Sequence, residues 1–232
     1  MFEYGLPEGV KSVGTEVTLG AAGRSGRGYL SEPPRAGPGV IVVHDEYGLL
    51  PHVRQRCDWL AEAGFVALAV DLYDGRIAEE PQEAERLAGR LDVVRARGLL
   101  ATAATQLLAR PKVRPRRVGG VGFGLGGRLA LLTATTGTLD AVVAVSAVLA
   151  RAERALLPCP TLLHLTGGPA EQDAEARGFI RDLRSSGTEV TVRTWSGVPA
   201  GFANADRPTY REQVAVAAWV ETAGFMAGHL RR

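Results

Sequence analysis

The chain predicts an α/β fold: a mostly parallel central sheet flanked by helices, with an N-terminal antiparallel hairpin. Three observations carry the prediction. Continuous apolar runs of strand length recur at residues 39–44, 65–70, 117–122, 140–146 and 160–165, as expected of strands covered on both faces. Segments of helical spacing lie between them, which makes successive βα units. Near the N-terminus the pattern instead alternates polar and apolar over 13–19 and can return over 26–32, across a turn rich in Gly, Ala and Ser.

Each element has a local reason. The helix expected over 53–63 ends at Gly64, a residue suited to a left-handed C-terminal position. Residues 81–110 read as helix in two pieces, interrupted around 89–92. Helices follow at 125–136, 171–185 and 209–229, with a strand at 188–194. No internal repeat, low-complexity tract or linker interrupts the pattern, so one domain over 1–232 is expected. In such sheets the ligand site lies at the carboxyl ends of the strands.

Composition narrows the function classes. Hydrophobic residues make up 46% and charged residues 22% of the 232, and the formal net charge is +2, too small to call for a nucleic-acid or acidic-membrane partner. The chain lacks an apolar run of about 18 residues and an N-terminal signal pattern, so a cytoplasmic protein is expected. Cys57 and Cys159 read as buried free thiols, and no spacing of ligating residues calls for a metal. No phosphate-cradling motif joined to a nucleotide fold appears, so no cofactor is expected. The partner class is a hydrophobic small molecule, and a homodimer is left open.

The most informative segment is 120–127, Gly-Val-Gly-Phe-Gly-Leu-Gly-Gly, between a strand and a helical run. A sharp strand-to-helix turn with small flanking residues is the setting of a nucleophile elbow, whose central residue attacks a carbonyl. Here the centre is Gly124, which has nothing to attack with.

Taken with 40–54, 71–75, 201–204 and 207–210, this segment resembles the dienelactone hydrolase family of the α/β-hydrolase fold. The resemblance implies a Cys-His-Asp triad, and each position can be read off. The nucleophile falls on Gly124 and the histidine on Ala200. The acid falls at or next to Ala170, with Glu171 and Asp173 close by. The resemblance also implies that the backbone amides of Leu125 and Glu46 form an oxyanion hole, which loss of side chains does not remove. Asp45 falls where the family usually has a Glu near the nucleophile.

Other residues carry paired readings. Asp45 is read as facing the pocket and able to move a proton; bracing of nearby backbone is the better reading for His44 and for the side chain of Glu46. Tyr47 belongs to the same strand end, and Tyr73 and Arg76 stand at another, where relatives bind the substrate's polar end. Phe123, Trp195 and Phe202 are read as walls of an apolar pocket around Gly124 and Ala200, or as core. His164 is read as a satisfied core histidine, His52 as structural or at the pocket rim. Ser146 has no histidine evidently beside it and is set aside as a nucleophile.

With all three triad positions replaced, the sequence by itself leads to a degenerate triad, to the expectation that ester and lactone hydrolysis is lost, and to no turnover of simple esters. Its main reading is a cofactor-independent cyclase or isomerase, with cycloaddition as one form of it, acting on a polyketide-like intermediate in natural-product biosynthesis. The alternatives are a non-catalytic binding protein and a hydrolase whose catalytic residues lie elsewhere.

Overall fold

In the computed structural model, which describes residues 14–21, 24–167 and 170–232, eight strands form one sheet in the order β1-β2-β4-β3-β5-β6-β7-β8. Strands β1 (Thr15–Ala21) and β2 (Arg24–Ser31) are the antiparallel hairpin, and β2 also runs antiparallel to β4 (Val66–Asp71). From β4 onward every pairing is parallel, through β3 (Gly37–Val43), β5 (Val113–Phe123), β6 (Ala141–Val145), β7 (Thr161–Thr166) and β8 (Val190–Trp195). Residue 13 and residues 22–23 of the hairpin turn lie outside the described residues, as does the N-terminal segment read for a signal.

Helices α1 (Pro51–Glu62), α2 (Pro81–Gly89), α3 (Val93–Ala109), α4 (Leu125–Ala134), α5 (Ala170–Ser185) and α6 (Glu212–Leu230) connect and cover the strands. The break between α2 and α3 has a capping cause: the Asp92 carboxylate accepts the Arg95 amide at 3.0 Å and starts the second helix. Helix α1 begins two residues before the expected 53, because Pro51 sits in its first turn, where its missing N–H costs nothing. Helix α6 begins at 212 and not 209. Residues 207–210 fold back as turns, with Tyr210 N–H bonded to the Arg207 carbonyl at 3.0 Å. No described helix is long and apolar enough to cross a membrane.

Two apolar clusters, one on each face, hold the sheet. One packs Leu100, Leu107, Leu129 and Leu131 against Ile41, Val43 and Leu163; the other packs Val53, Leu60, Trp219 and Met226 against Val40, Val42 and Val121. The central strands β3, β4 and β6 are short and apolar because both of their faces are dry, whereas the edge strand β8 keeps exposed positions.

His164 on β7 is fully buried and satisfied. Its Nδ1 accepts the Trp195 indole N–H at 3.3 Å, so Nε2 carries the proton and donates to Thr222 Oγ1 at 3.1 Å. Burial pulls its pKa down to about 4 from 6.5, against an opposing pull from Glu221. The unfolded chain therefore binds a proton that the folded chain refuses between those values, and this contribution to stability fades as pH falls through that window. Between pH 7 and 5 the loss from this group is expected to be about 2 kcal/mol. Denaturant melts should show the drop, and NMR should find the His164 ring still neutral at pH 5.

Candidate functional site

The turn between β5 and α4 is built by close approach. A Cβ on Gly122 would lie 2.2 Å from the Gly126 carbonyl oxygen, and one on Gly126 would lie 2.3 Å from the His44 carbonyl oxygen and 2.4 Å from that of Val43. Only glycine lets the first turn of α4 seat against the end of β3. Between them Gly124 adopts φ +49 and ψ −116, a strained backbone for any L side chain. The turn brings the amide of Leu125 toward the β3 end that carries residues 44–47.

The Glu46 side chain fills the space over this turn. Its Oε2 lies 2.9 Å from where a Cβ on Gly124 would be, where a nucleophile's side chain would begin. The carboxylate is half-buried, and the backbone amides of Glu46 and Leu125 lie where they favour its charged form. Burial is the main cause that raises its pKa, the neighbouring Asp45 adds to it, and the two amides oppose it. The amides expected to hold an oxyanion thus face a carboxylate, and the side chain expected to brace backbone also lines the cavity.

The Asp45 carboxylate is already engaged. Oδ1 accepts the Tyr47 amide at 2.9 Å, and Oδ2 accepts from Asn204 Nδ2 at 2.7 Å. It faces the cavity, but its lone pairs serve to fix the strand end to the 201–210 loop. His44 is likewise committed: Nδ1 donates to the Asp45 carbonyl at 2.6 Å and Nε2 accepts the Leu72 amide at 3.0 Å. Burial holds its pKa below the usual histidine value.

A cavity of about 250 Å³ opens above the turn; Asp45, Glu46, Tyr47, Phe123, Gly124 and Ala200 are among its walls. His52 and Ser146 also line it. The His52 Nδ1–H donates to Asp206 Oδ2 at 2.7 Å, so Nε2 is the ring nitrogen left free of that contact. The hydrogen bond from His52 is the main cause that holds the Asp206 carboxyl below its ordinary value. Asn204 joins the two acids, since its Oδ1 accepts the Asp206 amide at 3.0 Å while its Nδ2 grips Asp45. Arg207 covers the rim, its guanidinium 3.9 Å over the Tyr47 ring. Ser146 holds φ +54, and its buried Oγ has no hydrogen-bond partner among the described residues.

Several expected wall residues lie elsewhere. Tyr73 and Arg76 line a separate cleft of about 110 Å³ beside Asp74, Arg90 and Arg95, because the chain turns away from the elbow at 74–75. Trp195 stacks on His164 at 6.0 Å between ring centroids and meets Phe202 at 6.4 Å; Phe202 is fully buried, so both rings belong to the core. The expected acid position after β7 involves residues 168–169 and the side chains of Ala170, Glu171 and Asp173, outside the described residues. Sequence reasoning missed Asp206 altogether and left His52 at the rim. The signal available was that both fall in or beside the blocks that carry the resemblance.

The dienelactone hydrolase family model matches residues 27–230. The chain belongs to this family. It is 31% identical to Protein usf of Aquifex pyrophilus, over 88% of this chain and 94% of that one. It is 30% identical to the carboxymethylenebutenolidase of Pseudomonas sp., over 85% and 87%. Among solved structures, the chain named m3DLH superposes with a TM-score of 0.80 at 23% identity, over 94% and 98%, which shows the shared fold.

These findings overturn the main functional expectation. Relatives that match over most of both chains are named as lactone hydrolases, and nothing among them points to a cyclase, an isomerase or a polyketide substrate. The expected loss of family-type hydrolysis falls with it, and so does the description of the site as a degenerate triad. Gly124 and Ala200 were weighed as residues removed, while Glu46, His52 and Asp206 hold reactive groups around the same cavity.

Gly124→Ala is expected to lower stability by about 1–3 kcal/mol, because alanine resists this backbone conformation, and to push the Glu46 carboxylate off the Leu125 amide. Chemical denaturation measures the first effect and a crystal structure of the variant the second.

Proposed function

We propose that the protein hydrolyses a small lactone or ester in the cavity over the Gly124 turn, with His52 and Asp206 as its acid–base pair. The observation that carries this reading is the 2.7 Å contact between His52 Nδ1 and Asp206 Oδ2 at the wall of that cavity. An imidazole whose Nδ1–H is held by a carboxylate is oriented, fixed in one tautomer, and stabilised when it becomes charged. It can give a proton to a departing oxygen and take one from water.

The amides of Leu125 and Glu46 serve the other half of the reaction. The first stands at the positive end of α4, and both act on the Glu46 carboxylate to favour its charged form. A substrate carbonyl oxygen that replaces it would find the same donors as negative charge develops. A cavity of about 250 Å³ suits a compact substrate, and the relatives named carboxymethylenebutenolidase support a lactone as the class. The free, buried thiols of Cys57 and Cys159 support a cytosolic setting for the reaction.

His52→Ala is expected to lower the steady-state turnover of p-nitrophenyl acetate and of a dienelactone by about 10²–10⁴-fold. Asp206→Asn should lower it as well, because an amide can hold the ring in the wrong tautomer. Wild-type rates in both variants would remove the pair from the reaction.

A further inference from the structure

We propose that the Glu46 carboxylate is the nucleophile, that it forms an acyl-enzyme, and that this confines the protein to enol and aryl esters. The inference rests on the hydrolase reading and names the attacking atom and the substrate class. Its basis is positional. Oε2 stands 2.9 Å from the point where the Cβ of an elbow nucleophile would be, over the cavity that His52 also lines. The space that Gly124 vacates is the space this carboxylate uses; a side chain at 124 would collide with it. Ser146 is the rival hydroxyl on the same cavity, but its Oγ has no partner among the described residues to take its proton. A carboxylate needs no base to become a nucleophile, and partial burial strips it of water that would blunt its attack.

The step balances as follows. The substrate carbonyl oxygen displaces the carboxylate from the Leu125 amide. A Glu46 oxygen attacks the acyl carbon, and the carbonyl electron pair moves onto the oxygen held by the amides. Collapse breaks the bond to the leaving oxygen, which departs as a phenolate or enolate, and leaves a mixed anhydride on Glu46. Water then attacks the acyl carbon and gives its proton to neutral His52. The anhydride bond breaks and restores the carboxylate, and His52 passes its proton to the departed oxyanion or to solvent. The net change is ester plus water to acid plus alcohol or enol.

The same chemistry sets the substrate class. At the tetrahedral stage the carboxylate competes with the leaving oxygen for expulsion. The carboxylate is the better leaving group in every case, but the margin is small enough against a p-nitrophenolate or a conjugated enolate for some attacks to go forward. Against an alkoxide it is so large that collapse returns the starting ester. A lactone closed through an enol oxygen is therefore accepted and a saturated lactone is not.

The test uses the full chain with p-nitrophenyl acetate, vinyl acetate and ethyl acetate. Turnover of the first two without the third is expected, with a pre-steady-state burst of p-nitrophenolate of about one equivalent per enzyme. His52→Ala, which lacks the group that activates water, should accumulate an acetyl adduct that acid quench and peptide mass spectrometry place on Glu46. Glu46→Gln should fold, keep its amide contacts, and lose at least about 10³-fold in kcat. Hydrolysis of p-nitrophenyl acetate with no burst and no adduct, an adduct on Ser146, or equal turnover of ethyl acetate would overturn the nucleophile assignment and leave the hydrolase reading standing. No hydrolysis of any ester or of a dienelactone would overturn both.

Discussion

The contact on which the site depends is that between the first turn of α4 and the end of β3. Gly126 lies so close to the carbonyls of Val43 and His44 that no side chain fits between them, and Gly122 is pressed in the same way against Gly126. This approach brings the Leu125 amide, at the start of a helix, over the strand end that carries Glu46. A carboxylate or carbonyl oxygen over this turn then meets fixed dipoles in a place where a flexible donor set would have to be organised anew for each substrate. A larger residue at either position would part helix from strand and scatter the donors, whatever side chains remained.

Around that contact the polar groups form a graded network. His44, within the sheet, is spent on backbone, with one nitrogen on the Asp45 carbonyl and the other on the Leu72 amide. Asp45, one residue on, is spent on the Tyr47 amide and on Asn204. Asn204 passes the restraint to Asp206, which fixes His52. Buried polar groups persist where their hydrogen bonds are made, and each deeper member of this series has its partners. Glu46 and His52, to which the proposed reaction is assigned, both line the cavity. Asp45 thus fixes the strand end to the 201–210 loop, and its neighbour Glu46 holds the half-buried carboxylate over the turn.

The fold was legible because its signals are local. Apolar runs at 39–44 and 65–70, the helical spacing that ends at Gly64, and the capping residue Asp92 each report on nearby backbone and need no distant partner. The elbow was legible for the same reason, since the glycines of 120–127 act within a few residues of one another. Tyr73 and Trp195 could not be placed this way. Both stand at strand ends, yet the direction in which a strand-end side chain leaves the sheet depends on the loop that follows.

By itself the sequence determined the sheet, the family resemblance, the sharp turn and the fact that Gly124 and Ala200 carry no reactive side chain. Only the tertiary structure decided what stands around them. His52 and Asp206 are separated by 154 positions, and a hydrogen bond across such a distance leaves no periodicity or spacing in the chain. The Glu46 carboxylate lies over Gly124 because α4 and β3 are pressed together, a relation that exists only once the sheet is folded. A missing side chain can be read from one position, whereas a side chain that has taken its place is visible only in space.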